Sequence, residues 1–148
     1  MIKHLTLILL FFTLSACGQK TTEMKTPENA KGKFVEFIAN KKFLAENYYP
    51  GIADEKLRPI FSKKINQAAL DFQNVAKSDK PTDKKYQKKI LIGLSRFGDV
   101  YMELDTEDRE RVCSYFIELM DIVGLESSDG HLNEFMYGFD PIKVIDNN

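Results

Sequence analysis

Two cysteines and two histidines are the only thiol and imidazole groups in this 148-residue chain, so nucleophilic or metal chemistry would have to be built from very few side chains. His131 stands three residues before Glu134, a spacing that places both on one face of a helix. With Asp129 just upstream and Tyr137 and Asp140 downstream, the stretch has the ingredients of a small hydrolytic site in which His131 is the base. One histidine and one carboxylate are a sparse set, however, and a histidine near a helix start is more often a surface residue. Cys113 would need such a base to act as a nucleophile. Beside Val112 and Phe116 it reads better as a small core hydrophobe, and Asp108 and Glu110 disfavour a thiolate more than Arg109 and Arg111 favour one. Asp129-Gly130 matches the middle of a calcium loop over Leu125 to Met136, but both ends, where carboxylates are required, are apolar. Turn chemistry, with Ser127 or Ser128 capping the next helix, is the simpler reading. A structural zinc site needs about four Cys or His ligands, and no serine-nucleophile elbow, glycine-rich phosphate loop or paired-histidine zinc helix occurs. No cofactor is expected.

A hydrophobic content of 43% with 29% charged residues is an ordinary globular composition for one domain. The balance of 21 basic against 22 acidic side chains lacks the positive excess that nucleic-acid binding demands, so no nucleic-acid partner is expected. The charge is unevenly distributed: residues 17–98 carry 17 basic and 9 acidic side chains, whereas residues 99–148 carry 3 and 13. Lys77, Lys80, Lys84, Lys85, Lys88 and Lys89 gather around one loop, where they form either a solvated face or a contact with anionic lipid.

The N-terminus has its own logic. Lys3 and His4 precede ten residues, Leu5 to Leu14, interrupted only by Thr6 and Thr13. As a helix they would cover about 15 Å, half of the roughly 30 Å of hydrocarbon that a spanning helix crosses. The segment therefore reads as a targeting signal. The run Leu14-Ser15-Ala16-Cys17 resembles the lipobox of bacterial lipoproteins. That resemblance implies cleavage between Ala16 and Cys17 and diacylglycerol on the Cys17 thiol, with a further acyl chain on the new amino terminus. At about 0.8 kcal/mol per buried CH₂, two or three chains hold a protein at a membrane where one is marginal. Gly18 after the cysteine, where an aspartate would signal retention, implies outer-membrane sorting in a cell that has an outer membrane. With Cys17 occupied by lipid, Cys113 has no disulfide partner within the chain.

Residues 18–26 (GQKTTEMKT) lack an apolar period and read as a flexible tether of about 30 Å at full extension. Beyond Pro27, Phe34, Phe37 and Ile38 begin a helix that closes between Asn40 and Asn47, and Pro50-Gly51 has the form of a type II turn. Leu57, Phe61, Ile65, Ala68, Phe72 and Val75 repeat at spacings of three and four, with Pro59 tolerated near the helix start. Tyr86, Ile90, Leu94, Phe97, Tyr101 and Leu104 repeat the same rhythm after a cap at Thr82 or Asp83, which predicts an antiparallel hairpin of two helices of matching length. Asp105 is placed to cap the next helix, which buries Val112, Phe116, Leu119, Met120 and Val123 and stops at Gly124. A last short helix carries Leu132, Phe135 and Met136. No strand-like alternation occurs, so the expected fold is all-α, a small bundle of four to five helices after the signal peptide and tether.

The stretch from Leu104 to Pro141 (LDTEDRERVCSYFIELMDIVGLESSDGHLNEFMYGFDP) resembles the C-terminal half of a family of small bacterial helical domains of unknown function. The resemblance brings no activity, cofactor or catalytic residue, and marks only Ser127 to Gly130 and Tyr137 to Pro141 as signature turns. The combined expectation is a signal peptide at 1–16, a lipidated tether at 17–26, a helical domain at 27–141 and a tail at 142–148. Its expected role is that of a non-catalytic binding or accessory module, anchored through Cys17 in the bacterial envelope, with another envelope protein or peptidoglycan as partner. The candidate binding surface comprises Ser127, Ser128, Asp129, His131, Tyr137 and Asp140. The alternative is a small envelope hydrolase built around Asp129, His131 and Glu134.

Overall fold

A computed structural model describes residues 21–138 of the chain. The lipobox with Cys17, the signal segment 1–16, Asp140 and the tail 142–148 lie outside the described residues. Five α-helices form an all-α bundle: α1 (Ala30–Ala39), α2 (Arg58–Ala76), α3 (Asp83–Ser95), α4 (Thr106–Val123) and α5 (His131–Tyr137). A 3₁₀ helix, Gly98–Glu103, joins α3 to α4. The only strand-like pairings among the described residues are two isolated antiparallel bridges, Glu23 with Thr82 and Glu46 with Tyr49.

The three long helices bury the stripes that their spacing marks, while Ile38 of α1 and Leu132 and Met136 of α5 are half-buried against the same core. Phe61, Ile65, Ala68, Phe72 and Val75 of α2 are buried, as are Tyr86, Ile90 and Leu94 of α3 and Val112, Phe116, Leu119, Met120 and Val123 of α4. Capping follows the local chemistry. Thr82 accepts from the Lys85 N–H at 3.2 Å, and Asp105 accepts from the Asp108 N–H at 2.8 Å. Gly124 ends α4 at φ 72°, a left-handed conformation that glycine adopts without a Cβ clash. A chain of edge-to-face rings threads the core from Tyr115 through Phe43, Phe61 and Phe97 to Phe135, with centroids 5.2 to 6.2 Å apart.

Four local expectations are corrected. The stripe from Tyr86 to Leu104 is not one helix: α3 stops at Ser95 after 13 residues, against 19 in α2. Beyond it the bonds become i to i+3, Phe97 to Leu94, Val100 to Phe97 and Leu104 to Tyr101. A three-residue period keeps Phe97 and Leu104 in the core almost as well as a 3.6-residue one, so the apolar spacing alone does not distinguish the two. The hairpin nevertheless forms, since α2 packs more extensively on α3 than any other pair of elements does.

Secondly, Gly51 has the φ of 87° that a type II turn requires, but the Ile52 N–H bonds to Phe43 O instead of closing the turn. The closed turn lies upstream, from Glu46 to Tyr49. Thirdly, α5 starts at His131 behind Gly130, while the Ser127 hydroxyl accepts from Asp129 N–H and so caps the preceding turn instead of the helix. Finally, the second half of the expected tether is docked. Thr22 N–H donates to Asp83 Oδ1 while Thr22 O accepts from Asp83 N–H, Met24 N–H reaches Pro81 O at 2.9 Å, and Thr26 Oγ1 donates to Ala76 O at 3.2 Å.

Candidate functional site

Of the six residues of the candidate binding surface, all but Asp140 lie among the described residues. Asp129 pairs with Lys84 at 3.0 Å, and Tyr137 is 84% exposed. His131 Nδ1 sits 3.7 Å from Glu134 Oε2, beyond hydrogen-bond length, so the i, i+3 placement holds without a close pair. Neither residue lines any of the clefts described here. Ser127 does line one, a cavity of about 310 Å³ shared with Thr22, Met24, Asp83, Gln87 and Leu125. Its carbonyl accepts from Gln87 Nε2 at 3.1 Å. Among the described residues, no group of three or more His, Cys, Asp or Glu side chains is arranged to hold a metal ion.

Cys113 is buried and donates its S–H to Leu132 O at 3.8 Å. Burial, with the Glu110 charge adding to it, pushes the thiol up to about 12, the opposite of what a nucleophile needs.

The densest polar constellation lies elsewhere, where the irregular loop between α1 and α2 meets the first half of α4. The loop is held in an unfavourable backbone conformation: Phe43, a bulky residue, has φ 59°, and Asn47 has φ 51°. Several bonds pin it. Phe43 N–H donates to Tyr115 Oη at 2.7 Å, while Phe43 O accepts from Arg58 Nε at 3.3 Å and from Ile52 N–H at 3.4 Å. Tyr49 Oη donates to Asp108 Oδ1 at 2.6 Å, and both side chains are buried. Burial raises the Asp108 carboxyl above its ordinary value, although the Tyr49 hydroxyl pulls it back down. Burial and the same carboxylate push the Tyr49 phenol far above its usual range.

Two cations complete the site. Lys42 is buried and donates to the last carbonyls of α1, Phe37 O and Asn40 O, with its ammonium 4.2 Å from the Phe37 ring centroid. Desolvation lowers its pKa, and the Glu118 charge opposes that shift. Arg111 pairs with Glu46 and stacks its guanidinium over Tyr49 at 5.4 Å and Tyr115 at 5.0 Å. Around this pair lie two adjoining clefts of about 170 and 250 Å³, which share Glu46, Arg111 and Ser114. Tyr48, fully exposed at the loop tip, overhangs the smaller one. Ser114 Oγ donates to Glu110 O at 2.9 Å, a bond internal to its helix.

The arrangement suits recognition: a mixed-charge rim of Arg111, Glu46, Glu107, Glu110 and Glu118 around a rigidly held aromatic floor. Sequence reasoning missed this site because its two halves are up to 72 residues apart. The one available signal was the density of tyrosine and charge at Lys41 to Tyr49, an aperiodic stretch between two helices.

Comparisons with known proteins place the chain in a family. The sequence profile of DUF4844, a domain of unknown function, matches residues 25–140. The chain is also similar to a solved structure, a DUF3571 family protein from Acinetobacter baumannii AYE. The two share 31% sequence identity and superpose with a TM-score of 0.68, over 78% of this chain and 94% of that one. No curated protein matches the chain. The profile spans most of the chain, including both the loop and the α4 half of the cleft, and on that ground the protein belongs to the DUF4844 family.

Proposed function

We propose that this protein is a lipid-anchored, non-catalytic binding module of the bacterial envelope. Cys17 is its membrane anchor, and the cleft between the α1–α2 loop and α4 is its partner-binding surface. The observation that carries the anchoring is the Leu14-Ser15-Ala16-Cys17 run behind a ten-residue apolar stretch too short to span a bilayer. No helix among the described residues is long and apolar enough to cross a membrane, so the lipid would be the attachment. Gly18 favours the outer membrane where there is one. The partner is a protein of the same envelope: the rim carries both signs of charge, and the exposed Tyr48 supplies the aromatic surface that protein interfaces favour. The hydrolase alternative has no specific observation in its favour: Asp129 is engaged by Lys84, and His131 Nδ1 stands 3.7 Å from Glu134 Oε2.

Two measurements test this reading. Metabolic labelling with a fatty acid should mark the wild-type chain and not Cys17→Ala, and label retained in the variant refutes the anchor. A photocrosslinker placed at the exposed Tyr48 position should capture a discrete envelope protein, with the adduct lost in Arg111→Glu; an adduct indifferent to Arg111 removes the cleft from the interface.

A further inference from the structure

The docked segment fixes where the chain enters the fold. Thr22 N–H donates to Asp83 Oδ1 at 2.9 Å, Asp83 N–H returns a bond to Thr22 O at 3.1 Å, and Met24 N–H bonds to Pro81 O. The entry point is therefore the α2–α3 loop. Only four residues separate Cys17 from Thr22, and the five steps between the two span at most about 18 Å. The start of α2, beside the Glu46–Arg111 cleft, is a whole helix away: 19 residues, or about 28 Å at 1.5 Å per residue.

Charge is divided along the same axis. Lys77, Lys80, Lys85 and Lys88 are exposed around the entry point, with Lys25 on the docked segment itself. The acids at this end are Glu23, Glu28, Asp79, Asp83, Glu126 and Asp129. Two of them are already engaged, Asp83 by Thr22 N–H and Asp129 by Lys84. At the other end, Glu103, Asp105, Glu107 and Glu110 are exposed around the start of α4, against Arg109 and Arg111, while the α1–α2 loop and the start of α2 set Lys41, Lys42, Lys56 and Arg58 against Glu46, Asp54 and Glu55. An anionic surface therefore attracts the first end more than the second.

We infer that the α2–α3 end of the bundle rests on an anionic membrane surface, with Lys77, Lys80, Lys85 and Lys88 against lipid headgroups and the Glu46–Arg111 cleft turned away from the bilayer. The inference rests on the anchoring of Cys17 proposed above. It makes the domain more than a tethered sphere: the short reach from Cys17 to Thr22 and the lysines together hold one end down, and the cleft is presented at the far end of α2. It also moves Ser127 and Asp129 to the membrane-facing end, since Asp129 is bonded to Lys84 and Ser127 to Gln87.

The test uses the lipidated full mature chain in vesicles of phosphatidylglycerol with phosphatidylcholine, and of phosphatidylcholine alone. A thiol-reactive fluorophore is placed at Lys85→Cys or at Tyr48→Cys, and quenching by headgroup-labelled lipid is read. The native Cys113 is buried and stays unlabelled. Quenching should be several-fold stronger at position 85 than at position 48 in the anionic vesicles. The contrast should shrink in phosphatidylcholine alone, at high salt, and when Lys77→Glu, Lys80→Glu and Lys88→Glu are combined. These three residues are exposed, so the fold should survive the changes. Equal or reversed quenching on a chain whose Cys17 acylation is confirmed by mass overturns the orientation and leaves the anchor standing. A contrast indifferent to lipid charge and to the three reversals overturns the headgroup contact. A mature chain that carries no lipid on Cys17 overturns the anchor and the orientation together.

Discussion

Removing one oxygen at Tyr49 tests whether the α1–α2 loop is locked to α4 as the geometry indicates. In Tyr49→Phe the ring stays in place, but the 2.6 Å bond to Asp108 Oδ1 is lost. Asp108 is only 3% exposed, so water cannot readily replace the donor. A hydrogen bond to a charged group contributes about 1.5–3 kcal/mol, and leaving the acceptor buried without it places the loss in the upper half of that range. The pH dependence follows from the sign of the Asp108 shift. Burial raises its folded-state carboxyl above the unfolded value of 3.8, and the Tyr49 hydroxyl is what holds it down. In Tyr49→Phe it rises further, so the variant takes up a proton more readily than wild type. Its deficit should therefore be largest at pH 7 and shrink as the pH falls through the raised Asp108 pKa toward the unfolded one. Urea unfolding of both proteins at several pH values between neutrality and the carboxylate range reads this directly, with Asp108→Asn and the double variant closing the cycle. A loss at pH 7 below about 0.5 kcal/mol, or a loss that does not shrink on acidification, would refute the lock.

Gly93→Ala should destabilise the bundle, because a Cβ there would stand 2.6 Å from Phe116 Cζ and 2.8 Å from Cε1, with Ala68 Cβ at 3.3 Å on the other side. Overpacking of about 1–3 kcal/mol outweighs the roughly 1 kcal/mol that alanine gains over glycine in a helix, so thermal unfolding should shift down, and Phe116→Leu in the same chain should recover part of the loss. Cys113 should react slowly with iodoacetamide at neutral pH until denaturant is added, because its thiol is buried and pushed up to about 12; rapid native labelling read by mass would contradict its placement.

The readable parts of this fold are those whose physics is local. The α2 stripe from Phe61 to Val75, the caps at Thr82 and Asp105 and the stop at Gly124 each depend on residues three to five positions apart, and all appear where their spacing places them. The burial of Cys113 follows in the same way from its neighbours on one helix face. Where two local geometries satisfy the same spacing, pattern alone fails. Phe97 and Leu104 keep their burial at the two ends of the 3₁₀ helix, so the end of α3 at Ser95 left no mark on the apolar rhythm. The GQKTTEMKT segment reads as a tether because a single pass along the chain cannot show that Pro81 and Asp83 offer it backbone partners.

The candidate site depends wholly on long-range pairing. Tyr49 and Asp108 are 59 positions apart, Glu46 and Arg111 are 65 apart, and Phe43 and Tyr115 are 72 apart. Nothing in the spacing of either half announces the other. By itself, the sequence determined the all-α class, the main helix faces, the caps at Thr82 and Asp105 and the burial of Cys113, because periodicity and capping are decided within a turn or two of helix. Only the tertiary structure decided which polar groups meet. The packing of α1 and α2 against α4 brings an aperiodic loop onto the first half of α4, and burial there makes each hydrogen bond and charge depend on a partner far away in the chain.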